Sequence, residues 1–370
     1  MKKLLIILHD LGAGGAEKMM MRLAGALVEA GNDVTLLMLT GGGVYAAQLD
    51  PRVKQVALHS PRSAAAVLPL AGFLRRNHFD AHLAALTHVN VIAIAAALLS
   101  GTLARMHVSE RNAFSRDKHV NPALPVRLAY LLAPLLYRLI PNPVICVSRG
   151  VAQDLVDTTL ARPRDVTVAD NPVLDSDFRD TPPGPPSHPW LLEKTSPVIV
   201  AVGRLARQKG FDTLIDAFAR LADRSTRLII FGEGSLRAEL LEHATALGVA
   251  ERCDLPGYAS DPLAQIAAAD CFVLSSRFEG SPNALVEALS TGTPVVSTRC
   301  PYGPQDILDD GAVAPLVDIE DPAALAQAIT LELALPRALH RQRRLDAAAR
   351  FISGRAVNTY LAALLGRPAS

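Results

Sequence analysis

Residues 198–222 read VIVAVGRLARQKGFDTLIDAFARLA and decide the fold. Val198–Val202 is a continuous apolar run, which is typical of a strand covered on both faces in a parallel sheet. A polar turn, Gly203–Gly210, follows, and Phe211–Ala222 has the apolar spacing of an amphipathic helix. With the next apolar run at Arg227–Phe231, these segments make one βαβ unit and predict a parallel sheet.

The start of the chain repeats this pattern. Leu4–Leu8 is apolar, Gly12–Gly15 is a glycine-rich turn, Ala16–Ala30 is helix-forming, and Val34–Leu39 is the next apolar run. Further strands are predicted at residues 81–86, 104–108, 144–147, 271–274 and 294–297, and further helices at residues 236–247 and 283–290. The sequence therefore predicts two successive α/β halves.

A proline-rich segment at residues 181–197 separates the halves, and prolines at this density disfavour helix and sheet, which predicts a linker. The prediction is an α/β protein with two doubly wound Rossmann-like domains, residues 1–180 and 198–350, facing each other across a cleft. A C-terminal helix at residues 351–370 is expected to pack back on the first domain. Ligands of such sheets bind at the carboxyl ends of the strands.

Composition narrows the class of protein. The length of 370 residues favours two domains, and a hydrophobic fraction of 50% excludes a mostly disordered chain. A net charge of +1 argues against a nucleic-acid binder. Residues 1–170 carry 18 basic and 12 acidic side chains, a net charge of +6, so the first domain can be attracted to an anionic surface.

The cysteines and the apolar runs indicate a cytoplasmic protein. Cys146, Cys253, Cys271 and Cys300 form no C-x-x-C pair and are expected to be free buried thiols, without a disulfide or a structural zinc ion. The N-terminal apolar run is too short for a signal peptide. The longest apolar stretch, Val91–Leu99, is far shorter than the ~20 residues that span a bilayer.

Two cations lie on the turn that follows the strand at Val198–Val202. Arg204 and Lys209 are flanked by Gly203 and Gly210, next to a helix start. A guanidinium, an ammonium and backbone N–H groups at a helix N-terminus can together bind a diphosphate.

Two carboxylates are spaced eight residues apart, Glu279 on a loop and Glu287 in a helix. Ser281 or Asn283 is expected to cap that helix, with Pro282 in its first turn. Carboxylates next to an anion site are suited to accept hydrogen bonds from the hydroxyls of a sugar and a ribose joined by that diphosphate.

These motifs, with Gly232-Glu233-Gly234 and Gly292-Thr293-Pro294, resemble glycosyltransferase family 4. The resemblance covers most of residues 198–310 and extends more weakly to the first half. It implies a retaining, nucleotide-sugar-dependent enzyme of the GT-B fold. It also implies transfer of a hexose or N-acetylhexosamine, with the acceptor bound by the first domain.

The resemblance assigns the donor diphosphate to Arg204 and Lys209, the transferred sugar to Glu279 and the ribose to Glu287. The other donor-binding positions that we predict are Gly14, Gly15, Gly203, Gly232, Tyr258, Gly280, Ser281, Asn283 and Ala284. No metal or resident cofactor is implied, and a UDP-sugar is favoured over a GDP-sugar as co-substrate.

Cys300-Pro301-Tyr302-Gly303-Pro304 resembles a stretch found in enzymes that build polyprenyl-linked oligosaccharides or surface polysaccharides. Asp306 stands where those enzymes more commonly have Glu. The acceptor is therefore expected to be a glycan or a polyprenyl-linked saccharide.

In the first domain, His107 is predicted near the end of a strand and is a candidate catalytic residue. Glu110 and Arg111 are candidate acceptor-binding residues or an ion pair with each other. Asp175-Ser176-Asp177 matches a D-x-D metal motif, but it lies at the linker rather than after a buried strand, so no metal site is expected there.

Leucines alternate with Arg127 and Arg138 in residues 124–140, and Arg75-Arg76 ends another apolar segment. Such surfaces can rest on a membrane, although many apolar stripes are core. The expected location is therefore the cytoplasm, with contact at the cytoplasmic face of an anionic inner membrane.

Two other classes of protein remain open. The opening βαβ unit suggests a nicotinamide-dependent oxidoreductase, but Glu17 occupies the last glycine position of G-x-G-x-x-G. A non-catalytic subunit that binds sugar nucleotides or glycans is the other, and the complete set of charged residues argues against it.

Overall fold

The computed structural model describes residues 1–12, 14–120 and 124–366. They divide into two compact units, one formed by residues 1–175 with the segment from Phe351 onward, and the other by Ser176–Arg350. In the described part of the chain, no helix is both long and apolar enough to cross a membrane.

The first unit contains a seven-stranded parallel sheet in the order β3-β2-β1-β4-β5-β6-β7. Its strands are β1 (Lys3–Leu8), β2 (Asp33–Met38), β3 (Lys54–Ala57), β4 (Ala81–Ala85), β5 (Met106–Glu110), β6 (Val144–Cys146) and β7 (Val166–Val168). Its helices before the second unit are α1 (Gly15–Glu29), α2 (Val67–Arg76), α3 (Thr87–Ser100), α4 (Phe114–Val120), α5 (Leu124–Leu136) and α6 (Arg149–Thr158). The β3 and β7 strands were not predicted from the sequence.

The second unit contains a six-stranded parallel sheet in the order β10-β9-β8-β11-β12-β13. Its strands are β8 (Val198–Val202), β9 (Arg227–Phe231), β10 (Cys253–Gly257), β11 (Cys271–Leu274), β12 (Val295–Thr298) and β13 (Leu316–Val317). Its helices are α7 (Pro189–Leu192), α8 (Phe211–Ala219), α9 (Arg237–Ala246), α10 (Pro262–Ala268), α11 (Asn283–Thr291), α12 (Pro304–Ile307), α13 (Pro322–Ala334) and α14 (Arg341–Ala348).

The strand order places a topological switch point next to β8. The chain leaves β8 toward β9 on one side of the sheet, and β11 returns to pair with β8 on the other, with Cys271 opposite Ile199. Loops from the carboxyl ends of such neighbouring strands diverge and leave a crevice, where ligands of doubly wound sheets bind.

The last helix, α15 (Ser353–Leu365), belongs to the first unit. Val357, Tyr360 and Leu364 join the same buried cluster as the apolar face of α1, and Phe351 accepts backbone hydrogen bonds from Val173 and Leu174. Of the predicted segment 351–370, residues 367–370 lie outside the described residues.

The prediction that residues 181–197 form only an extended linker is wrong at its C-terminal end. Pro189 begins the short helix α7, at the position where a helix tolerates proline. The buried His188 caps this helix, and its Nε2 lies 3.0 Å from Asp254 Oδ2. Gln265 accepts the backbone N–H of His188 at 3.3 Å. These contacts attach the segment to the second unit.

All four cysteines are free and buried, as predicted. Burial raises the pKa of each thiol, to about 12 for Cys253, so these side chains behave as small apolar groups.

Candidate active site

The loop after β8 is built by close backbone contacts. Gly203 N–H donates to the Phe231 carbonyl at 2.9 Å, and Leu205 N–H donates to the Glu233 carbonyl at 2.9 Å. A Cβ atom on Gly232, where φ is +146°, would overlap the Gly203 carbonyl. Only glycine permits this approach, so the loops after β8 and β9 are held side by side at the carboxyl edge of the sheet.

Lys209 and Glu279 form an ion pair across the loops that follow β8 and β11. Lys209 Nζ lies 2.6 Å from Glu279 Oε1, and the two side chains are 19% and 7% exposed. Ser276 donates to the same carboxylate oxygen. A largely buried ammonium and a buried carboxylate are therefore fixed at the switch point, 70 residues apart in sequence.

Arg204 differs from Lys209 because its side chain is exposed and makes no ion pair or hydrogen bond with the described residues. It lies on the same short loop, five residues before Lys209. The loop thus presents one guanidinium that remains available to an anion next to one ammonium that is held in place.

The loop after β11 is tied to the loop after β8 by Arg277, which the sequence analysis missed. Its guanidinium donates to both carboxylate oxygens of Asp212, at 2.9 and 2.7 Å, and to Glu320 at 2.7 Å. Gln208 donates to the Phe278 carbonyl at 3.0 Å. Arg277 lies two residues before Glu279 and three residues after the apolar strand β11, and that position was the available signal.

The helix α11 follows this loop, and the predicted cap is wrong. Pro282 is the N-cap residue, Asn283 is the first helical residue, and no side chain caps the helix. The N–H groups of Leu285 and Val286 donate to the Pro282 carbonyl, at 3.1 and 3.4 Å. The positive end of the helix dipole faces this loop, which suits the helix end to an anion. Glu287, the fifth residue of α11, is buried.

The remaining predicted donor-binding residues lie at the same edge of the second sheet or at the start of α1. Gly280 is buried, Ser281 and Ala284 are partly buried, and Tyr258, directly after β10, is 56% exposed. In the first unit, Gly14 is the N-cap residue of α1 and Gly15 its first residue.

Gly210, at the end of the loop after β8, has a left-handed backbone conformation, and its replacement should lower the stability of the fold. Gly210 and Gly248 have φ values of +61° and +69°, but a Cβ on Gly210 would overlap the Ser275 carbonyl, whereas Gly248 faces open space. We expect Gly248→Ala to cost about 1 kcal/mol from backbone strain and Gly210→Ala to cost at least about 1 kcal/mol more from crowding. Chemical denaturation of both variants measures the difference, and equal losses would contradict it.

His107 lies at the amino end of β5, not near a strand's carboxyl end, because β5 begins at Met106 rather than at residue 104. It is buried, and its Nδ1 has no hydrogen-bond partner among the described residues. Burial lowers the pKa of His107 to about 4, so the imidazole is neutral at pH 7. This position does not fit the predicted catalytic role, because ligands of such sheets bind at the opposite edge.

Glu110 and Arg111 are buried in separate networks and do not form the ion pair that was considered. Glu110 accepts hydrogen bonds from Thr87 at 2.9 Å, from Asn90 at 3.2 Å and from Tyr137. Burial raises the pKa of Glu110 to about 7. Arg111 donates to the Tyr360 hydroxyl at 2.8 Å and so attaches α15 to the first sheet.

The two acids of the D-x-D motif contact other side chains: Asp175 lies 4.0 Å from Arg22, and Asp177 accepts a hydrogen bond from the Thr181 hydroxyl at 2.8 Å. In the described part of the chain, no group of three or more His, Cys, Asp or Glu side chains could hold a metal ion. Asp306 forms an ion pair with Arg350 at 2.9 Å.

Two family models match this chain, and solved structures of other proteins are similar to it. Residues 13–176 match the family described as Glycosyltransferase Family 4, and residues 196–334 match Glycosyl transferases group 1. The solved structure of Anabaena HepE in complex with UDP-glucose has a TM-score of 0.81 with 19% identity, covering 99% of this chain and 100% of that one. WaaG, a glycosyltransferase involved in lipopolysaccharide biosynthesis, has a TM-score of 0.69 with 16% identity, covering 97% of this chain and 98% of that one.

Two relatives are similar in sequence. The lipopolysaccharide core biosynthesis glycosyltransferase LpsE of Rhizobium meliloti is 36% identical over 50% of this chain and 52% of its own length. The chain thus aligns with about half the length of that relative. A Campylobacter jejuni 4-alpha-N-acetylgalactosaminyltransferase, whose name includes diphospho-undecaprenol, is 27% identical over 89% of both chains.

The protein has the GT-B fold, with two parallel-stranded α/β domains. Both matched families are glycosyltransferases and together they cover most of the chain, so the protein belongs to the glycosyltransferase family 4 group. The matched families and both relatives are glycosyltransferases, which contradicts the oxidoreductase hypothesis.

Proposed function

We propose that the protein transfers a hexose or N-acetylhexosamine from a nucleoside-diphosphate sugar to a hydroxyl of a glycan or polyprenyl-linked acceptor, with retention of anomeric configuration. The observation that carries this proposal is the Lys209–Glu279 pair next to the unpaired Arg204, at the switch point of the second sheet. Cations and a carboxylate at this position can bind the diphosphate and the sugar of a donor, because these two groups are adjacent in the donor.

In this proposal, the two cations act on the leaving group. As the bond between the sugar C1 and the diphosphate oxygen breaks, negative charge develops on the diphosphate, and Arg204, Lys209 and the N–H groups at the start of α11 stabilise it. A phosphate oxygen of the leaving group accepts the proton of the attacking hydroxyl. Glu279 holds hydroxyls of the transferred sugar, and Glu287 holds the ribose.

The donor is proposed to be a UDP-sugar, and its acceptor a lipid-linked or polymeric saccharide. HepE was crystallised with UDP and with UDP-glucose, which supports UDP as the nucleotide of the donor. The name of the Campylobacter relative supports a polyprenyl-linked acceptor. An acceptor of that kind would place the protein at the cytoplasmic face of the inner membrane.

A thermal-shift screen with UDP, GDP, UDP-glucose, UDP-N-acetylglucosamine and GDP-mannose tests the donor. Ligands that bind only the native state raise the melting temperature by mass action, with about 2.7 kcal/mol of added stability at 100 times Kd. We expect the UDP compounds to raise it and the GDP compounds to do so less. If none of them shifts the melting temperature at millimolar concentration, the proposed donor class is wrong. An enzyme releases UDP when an acceptor is added, whereas a non-catalytic binding subunit does not, so this assay distinguishes the two functions.

A further inference from the structure

The second unit has an open cavity at the amino edge of its sheet, opposite the edge that carries the candidate active site. Its volume is about 600 Å³, and its lining comes from the three segments that directly precede β8, β9 and β10. These strands are parallel neighbours, so their amino ends bring the three segments together. Since β9 has five residues, roughly 16 Å separates the two edges of the sheet.

Three arginines line this cavity, and we call them the arginine cluster: Arg224, Arg227 and Arg252. Within the described residues, none of the three forms an ion pair, and Arg224 and Arg252 instead donate to backbone carbonyls at 3.2 and 3.3 Å. Glu251 also lines the cavity, so three arginines and one glutamate give the lining a formal charge of +2. The cavity therefore has an excess of positive charge.

Aromatic rings hold two guanidiniums of the arginine cluster in place. Arg252 Cζ lies 4.3 Å from the centroid of the Phe218 ring, and Arg227 Cζ lies 4.9 Å from the centroid of the Trp190 ring. Such contacts orient a guanidinium without removing its charge. Burial and the nearby positive charge of Arg224 lower the pKa of Arg252. The guanidiniums are thus oriented before an anion binds.

Two polar atoms at the cavity are buried and have no hydrogen-bond partner in the part of the chain that the structure describes. They are Nη2 of Arg252 and Oγ of Ser196. The carboxylate of the neighbouring Asp223 already accepts from the hydroxyls of Ser225 and Thr226, at 2.7 and 2.8 Å. Because a buried donor without an acceptor costs stability, the oxygens of a bound anion would stabilise both groups.

We propose that this cavity binds a small phosphate monoester, whose phosphate group contacts the arginine cluster. Guanidiniums bind phosphate oxygens through paired N–H donors. The volume lies within the range of small-molecule sites, about 300–1000 Å³, and leaves room for more than the phosphate group. The ligand would not be the sugar donor, because substrates of doubly wound sheets bind at the opposite edge. The proposal is independent of the proposed function.

Isothermal titration calorimetry of the full chain with inorganic phosphate and with glucose 6-phosphate tests the cavity. Sodium chloride keeps the ionic strength constant, so that a general effect of salt is excluded. We expect binding that persists when UDP is present, because UDP would displace phosphate from the proposed donor site but not from the cavity. Arg224→Glu should weaken this binding at least about tenfold, and Arg224→Gln should weaken it less.

The matched control is Arg343→Glu in the same unit. Arg343 and Arg224 are both exposed, and each donates through Nη1 to a backbone carbonyl, but Arg343 does not line the cavity. Its variant should bind phosphate like the unsubstituted protein, and the melting temperature of every variant reports whether the fold is intact.

Equal weakening by Arg224→Glu and Arg343→Glu, or no binding of either phosphate compound at millimolar concentration, would overturn the proposal. Displacement of all bound phosphate by UDP would do the same. Sedimentation with phosphatidylglycerol vesicles that Arg224→Glu alone weakens, without binding of the soluble compounds, would assign the cavity to a lipid headgroup instead. Failure of UDP to bind would count only against the proposed function, because the titrations without UDP still test the cavity.

Discussion

Lys209→Ala should lower kcat by roughly 100- to 1000-fold, the loss that follows removal of one group that stabilises developing transition-state charge. Lys209 is the buried cation of the candidate site and is held 2.6 Å from Glu279. Its ammonium would neutralise the leaving diphosphate, whose charge increases only as the sugar departs. The effect should therefore fall on kcat more than on KM for the nucleotide sugar. Steady-state kinetics with saturating acceptor measures both constants.

The control for Lys209→Ala is Lys194→Ala. Lys194 forms an ion pair of similar length, 2.7 Å to Asp270, in the same unit, and Asp270 directly precedes β11, away from the carboxyl edge of the sheet. Its variant should keep nearly full turnover. Full turnover by Lys209→Ala would refute the assignment of the diphosphate site.

A structural role of Lys209 can be separated from a chemical one. Lys209→Ala leaves the Glu279 carboxylate buried without its cation, which destabilises the fold. Adding Glu279→Gln removes that unpaired charge, so the double variant should recover stability but not turnover. Recovery of turnover together with stability would mean that Lys209 acts only by holding the loop.

The strands and loops of the candidate site were predictable from local sequence. Continuous apolar runs give β8 and β11, and the polar loops after them carry the charged residues. In contrast, β10 contains Pro256 and lies at the edge of its sheet, where proline is tolerated, and β13 has only two residues. The hydrophobic pattern of such strands is weak, because the neighbouring strands of the sheet determine that they pair.

Side-chain placement depended on contacts that local sequence does not report. The Lys209–Glu279 pair follows from the pairing of β8 with β11, which brings distant loops to one edge. The start of α11 at residue 283 was predicted correctly, but its N-cap was not, because Ser281 and Asn283 both have cap-forming side chains whereas Pro282 between them is the N-cap. His107 was misplaced because the start of its strand was set two residues too early.

Glu287→Ala should raise KM for the nucleotide sugar, and Glu287→Gln, which keeps the shape of the side chain, isolates its charge. Glu287 is buried on α11, in the helix that follows the Glu279 loop. A carboxylate that accepts from ribose hydroxyls is worth about 1.5–3 kcal/mol more than no partner, which corresponds to a roughly 10- to 100-fold rise in KM for Glu287→Ala. Glu287→Gln keeps a neutral acceptor and should raise KM less.

Variants of Glu287 and Lys209 should change different kinetic constants, because Glu287 is proposed to contact the ribose of the donor and Lys209 its diphosphate. Because the ribose does not react, its contacts are equally strong in the ground state and the transition state, so Glu287→Gln should raise KM and leave kcat nearly unchanged, the reverse of Lys209→Ala. Glu332→Gln, a half-buried glutamate on α13, serves as the control and should change neither constant. If Glu287→Gln lowered kcat with an unchanged KM, Glu287 would contact the transferred sugar or the leaving group instead of the ribose.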